Sequence, residues 1–71
     1  MRIHRIYTDQ ALEPGRDAVL EDAPAHYLSR VLRVTTGQSV VLINGDGHEY
    51  PAEVQRTGRR EVVLAVRSRL P

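Results

Sequence analysis

The apolar and polar positions change period several times along the chain, and each change marks an element. "RIHRIYT" (Arg2 to Thr8) is rich in Ile and Tyr and predicts a first strand. "EPGR" follows, with Pro14 and Gly15 in the order a type II turn uses, and "DAVLE" (Asp17 to Glu21) predicts a second, short strand. The pattern then turns helical. Asp22 is suited to an N-cap and Pro24 falls in the first turn, where amide protons need no intrahelical acceptor. One amphipathic helix is therefore expected over about residues 23–33, ended by "TTG". At ~100° per residue Pro24, Tyr27, Leu28, Val31 and Leu32 share one arc, and His26, Arg30 and Arg33 form a basic ridge opposite it.

After Gly37, "SVVLIN" is a continuous apolar run that predicts a central strand buried on both sides. "HEYPAEVQRT" alternates, with Tyr50, Ala52 and Val54 on one face and Glu49, Glu53 and Gln55 on the other. Pro51 cannot donate to a ladder, which predicts an edge position or a bulge. "TGRR" predicts a second hairpin turn and "EVVLAVRSRL" (Glu61 to Leu70) the last strand. The fold class is mainly β: about five strands and one helix in a small closed or half-closed barrel, since closure protects strand edges in so short a chain.

At 71 residues the chain is one domain with a thin core and little room for a deep cleft. The absence of cysteine excludes disulfides, thiolate nucleophiles and Cys-ligated zinc, and suggests an intracellular location. "MRIHRIYTDQ" has no apolar signal-peptide core and no run is long enough to span a membrane, so a soluble, cytoplasmic protein without membrane contact is expected. The formal charge of +1 argues against a strongly basic tail. All ten cationic side chains other than histidine are arginine, so any basic surface consists of planar forks suited to phosphates.

"NGDGHEYPAEV" (Asn44 to Val54) brings Asp46, His48 and Glu49 close in sequence, yet Asn44-Gly45 and Asp46-Gly47 are dipeptides that a hairpin turn needs in any case. His48 and Glu49, adjacent on a strand, point to opposite faces, and no further ligand is spaced to join them; no metal site is expected. Ser29, Ser39 and Ser68 lack a nucleophile elbow, and "GDG" lacks the spacing of a dinucleotide fingerprint, so no catalytic residue is assigned. The helical ridge remains, with arginines near strand ends and turns, as a surface for gripping RNA by shape and backbone. A solvated face paired with the nine acids would have the same composition.

With "HYLSRVLRVTTGQSVVLINGDGHEYPAEV" the chain resembles the N-terminal PUA-like RNA-binding domain of the bacterial 16S rRNA (uracil-N3)-methyltransferases, of the SPOUT class. The matching positions are Arg2, Arg5 and Ile6-Tyr7, then His26, Leu28, Val31, Leu32 and Arg33, then Gly37, then Asn44-Gly45, Gly47, Glu49 and Tyr50. Two positions depart from the pattern: Gln38, often acidic in the family, and Pro51, which the family does not require. The resemblance implies a PUA-like β-barrel over residues 1–71, followed in the parent protein by a knotted C-terminal methyltransferase domain beyond Pro71. It implies methyl transfer from S-adenosylmethionine to a uracil N3 of 16S rRNA in the small ribosomal subunit, by a parent homodimer, with no cofactor and no catalytic residue in this chain. RNA contacts are expected from Arg2, Arg5, His26, Arg30, Arg33, Arg59 and Arg60. The alternative is a protein-interaction barrel that docks a partner or neighbouring domain.

Overall fold

Alternation along the strands sorts side chains into an inner and an outer set, and the inner set builds the core. The computed structural model describes residues 4–71. Its elements are β1 (Arg5–Tyr7), β2 (Asp17–Glu21), α1 (Asp22–His26) running directly into a π-helical turn (Tyr27–Val31), β3 (Ser39–Ile43), β4 (Tyr50–Thr57) and β5 (Glu61–Val66). The strands form one five-stranded half-barrel in the order β1-β3-β4-β5-β2, with β1 parallel to β3 and every other pair antiparallel. The helix follows β2 and packs on β2 and β5. Leu20, Leu28, Leu42, Tyr50, Val54, Val62 and Leu64 are buried between sheet and helix. Burying each such side chain stabilises by about 1.5–3 kcal/mol, so a few residues hold most of this thin core.

The first turn forms as its residues dictate. Arg16 N–H donates to the Glu13 carbonyl at 3.1 Å, and Gly15 supplies the positive φ of 86° that a type II turn requires after Pro14. Between helix and β3, Gln38 N–H donates to the Thr35 carbonyl at 3.1 Å, while Gln38 Oε1 accepts the Thr35 N–H at 2.6 Å. An acceptor is all this turn asks of residue 38. Glutamine therefore fills a role that a carboxylate could fill equally.

The helix differs from the expectation of residues 23–33. It spans Asp22 to Val31 and is bounded by two left-handed residues, Asp22 at φ 55° and Arg33 at φ 53°. Asp22 is thus the first helical residue and not the N-cap; Glu21 holds that position in an extended conformation and makes no side-chain cap. In its second half Ser29 Oγ donates back to the Ala25 carbonyl at 2.9 Å, and Leu32 N–H reaches the Tyr27 carbonyl five residues earlier at 3.0 Å. The wider turn adds a residue and shifts the following side chains by ~100°. Of the expected apolar arc only Leu28 is fully buried, Pro24 and Leu32 are half-buried, and Tyr27 and Val31 are exposed; Ala25 is buried in their place.

Other expectations change at strand ends. The described part of the first strand is Arg5–Tyr7, and Arg2 lies outside the described residues. Pro51 is on neither an edge nor a bulge: it faces Val41 within β4, which lies between β3 and β5. Its carbonyl accepts Arg67 N–H at 2.8 Å, just beyond Val66 where the β5 ladder ends, so the missing N–H leaves no interior gap. The bulge falls later, between Val54 and Arg56. Beyond Val66 the last strand is irregular, and Leu70 returns only to exchange two backbone hydrogen bonds with Glu49.

Candidate nucleic-acid interface

The β4 bulge decides which way the arginines after it point. Without it Arg56 would continue the inward set of Tyr50, Ala52 and Val54; with it Arg56 pairs with Val63 and turns outward to Glu61, at 2.7 Å. The bend carries the 58–60 turn to the helix. Ser29 and Arg30 there line a shallow concavity together with Thr57, Gly58 and Arg59. Beside it an open groove of about 800 Å³ is lined by Tyr27, Val31, His26, Asp22, Arg59 and Arg60, with Ala23 at its floor.

Charge is segregated. Arg5, Arg56 and Arg67 are paired with Glu49, Glu61 and Glu53 across strands at 3.0, 2.7 and 2.6 Å, and Arg16 lies 3.7 Å from Glu13. The three cross-strand pairs belong to the outward set of the sheet, which therefore neutralises itself. Among the described residues Arg69, which lies beside the Tyr50 side chain, and Arg30, Arg33, Arg59 and Arg60 have no carboxylate within 4.0 Å. The last four belong to the helix, its C-terminal end and the turn that meets it.

Of the expected contact residues, the structure therefore gathers His26, Arg30, Arg59 and Arg60. Arg33 follows the helix end, exposed, and does not line either concavity. Arg5 lies at the opposite edge of the sheet with its Nε on Glu49. Tyr27 and Val31 were missed as surface residues, because a regular helical period assigns them to the core and nothing in the sequence announces the π turn.

The Asn44 to Glu49 stretch is a loop closed by its own side chains. Asn44 Oδ1 accepts Asp46 N–H at 3.2 Å, Asp46 Oδ1 accepts His48 N–H at 2.9 Å, and the Tyr50 hydroxyl donates to Asp46 Oδ2 at 2.5 Å. The Tyr50 bond holds the Asp46 carboxyl below its ordinary value of 3.8, helped by the His48 N–H and opposed by desolvation. The same bond, with desolvation, pushes the Tyr50 phenol above 10.0. Gly45 and Gly47 take the positive φ values of 84° and 91° in a loop longer than a two-residue turn. Among the described residues no three His, Asp or Glu side chains are grouped to hold a metal ion.

The sequence matches the family described as RNA methyltransferase PUA domain over residues 20–67. The chain belongs to that family. Solved structures carry the same fold. A Legionella pneumophila protein assigned as a methyltransferase, solved with the cofactor SAM, superposes with TM-score 0.93 at 30% identity, over 99% of this chain and 29% of that one. A ribosomal RNA small subunit methyltransferase E from Neisseria gonorrhoeae, bound to S-adenosyl methionine, gives 0.87 at 22% identity, over 96% and 28%. A probable rRNA-methyltransferase from Porphyromonas gingivalis gives 0.79 at 22% identity, over 94% and 27%. This PUA domain thus spans under a third of the length of the proteins it matches. Its groove is open to solvent and sets two arginines, Arg59 and Arg60, against the single carboxylate of Asp22, a poor match for the sulfonium cation of S-adenosylmethionine. No step of methyl transfer is assigned to these residues.

Proposed function

We propose that this PUA domain binds small-subunit (16S) rRNA and positions it for S-adenosylmethionine-dependent N3-methylation of a uracil by a separate, knotted C-terminal domain. The observation that carries the reading is the convergence of Arg30, Arg59 and Arg60, none of them neutralised, where helix and 58–60 turn meet. Guanidinium forks freed from carboxylates are the groups that grip phosphates, and family membership gives RNA as the substrate class. His26 lines the same groove, Arg33 follows the helix end outside both concavities, and Arg5 would have to leave Glu49 to take part. The small-subunit assignment leans on the likeness to the Neisseria gonorrhoeae enzyme. Orientation of the base, not bond chemistry, is the contribution of this chain. The parent enzyme acts as a cytoplasmic homodimer in ribosome biogenesis, assembled largely through the knotted domain.

The test is binding to a small-subunit rRNA fragment across a salt series. Affinity falls linearly with salt on logarithmic axes, by about 0.7–0.9 in slope per phosphate contacted. Absence of binding at low salt, while the longer enzyme binds, reduces the domain to an auxiliary.

A second reading, a barrel that docks a partner or neighbouring domain, draws on Tyr7 and Val19, exposed on the edge strands β1 and β2. It predicts association that salt does not weaken.

A further inference from the structure

One groove sets an exposed aromatic ring beside two arginines that have no carboxylate within 4.0 Å. Tyr27 is 43% exposed and Val31 61%, the first and last residues of the π turn. Both line the open groove of about 800 Å³, together with His26, Asp22, Arg59 and Arg60. That volume lies within the ~300–1,000 Å³ of small-ligand sites, and an open form lets a polymer enter and leave. The backbone that carries the ring is hydrogen-bonded on both sides. Tyr27 N–H donates to the Ala23 and Pro24 carbonyls, and its own carbonyl accepts Leu32 N–H at 3.0 Å.

We infer that this groove takes a single unstacked nucleotide of the bound RNA, its base against the Tyr27 ring beside Val31 and its phosphate toward Arg59 and Arg60. The inference rests on the RNA-binding reading above and narrows it from RNA in general to an unpaired nucleotide. An aromatic face with flanking cations is the arrangement that holds single strands, whereas an A-form duplex offers Tyr27 no open base face. Asp22 lines the same groove. A carboxylate repels phosphate and accepts from base N–H groups, so the base and not the backbone lies on its side.

The test compares a single-stranded RNA carrying 2-aminopurine with a duplex of equal length, using the chain and its Tyr27→Phe and Tyr27→Leu variants, each checked by thermal melting. The single strand is expected to bind more tightly than the duplex and to lose reporter emission on binding. Tyr27→Leu is expected to weaken single-strand binding about tenfold and abolish the quenching, while Tyr27→Phe retains both. The salt slope stays the same in all three proteins, since no phosphate contact is removed. Equal affinity of Tyr27→Leu and wild type, or of duplex and single strand, overturns the nucleotide site and leaves the arginine-based reading standing. Failure to bind either RNA at low salt overturns both, as does salt-insensitive self-association that depends on Tyr27.

Discussion

Arg67 and Glu53 meet across the outer face of the sheet at 2.6 Å, with both side chains partly exposed, at 58% and 38%. An ion pair so exposed contributes about 0.2–1 kcal/mol. Arg67→Ala is therefore expected to lower the urea midpoint only slightly, by less than about 1 kcal/mol in stability. Its larger consequence is electrostatic: the pair keeps this arginine from adding to the cationic field on the helix side.

The Asp46–Tyr50 contact gives the loop a pH dependence at both ends of the scale. Asp46 titrates below 3.8 in the folded protein, so the unfolded chain binds more protons as acid is added. Its stabilisation is present above 3.8 and is lost as pH falls through the lower folded value. Tyr50 titrates above 10.0, so its share is present below 10.0 and is lost as pH rises through the higher folded value. Thermal midpoints measured against pH should fall at both extremes. Tyr50→Phe should lower the plateau and flatten both losses.

Leu28 and Val31 lie three residues apart on one helix but differ fully in burial, at 0% and 61% exposure. Leu28→Ala is expected to cost about 2–5 kcal/mol, enough to unfold a large share of so small a domain. Val31→Ala should stay within about 0.5 kcal/mol. Circular dichroism melts of the two variants check both. Equal destabilisation would contradict the rotated helix face.

Arg33 ends the helix at φ 53°, where a side chain costs about 1–2 kcal/mol relative to a right-handed residue. Glycine removes that cost but adds about 0.5–1 kcal/mol of chain entropy, so Arg33→Gly should stabilise by up to about 1.5 kcal/mol. Arg33→Ala keeps the strain and gains nothing. If Arg33 also flanks the RNA, both variants bind it more weakly although only one is more stable.

Much of the fold is legible from residue types because local rules agree there. Pro14-Gly15 sets its turn, "DAVLE" is a strand over the expected residues, and Tyr50, Ala52 and Val54 alternate inward. The sequence misleads where a local competitor overrides the period. Ser29 hydrogen-bonds back to Ala25, the helix widens after Tyr27, and both Tyr27 and Val31 stand outside the core. Pro51 looks like an edge residue because its N–H is missing, but the β5 ladder stops beside it. Of the candidate site, the residue types were legible and the grouping was not. Only tertiary structure separates Arg5 and Arg67, each held by a glutamate, from Arg59 and Arg60, which are not.

That separation is the central claim, and one comparison tests it most directly: binding of a small-subunit rRNA fragment across a salt series by the wild type, the Arg59→Ala/Arg60→Ala double variant and Arg67→Ala. The double variant should bind more weakly and lose about 1.4–1.8 from the magnitude of the salt slope if both arginines touch phosphates. Arg67→Ala should keep the wild-type affinity and slope. Equal losses from the double variant and Arg67→Ala, or no loss from either, would contradict an interface built from the unpaired arginines of the helix and the 58–60 turn.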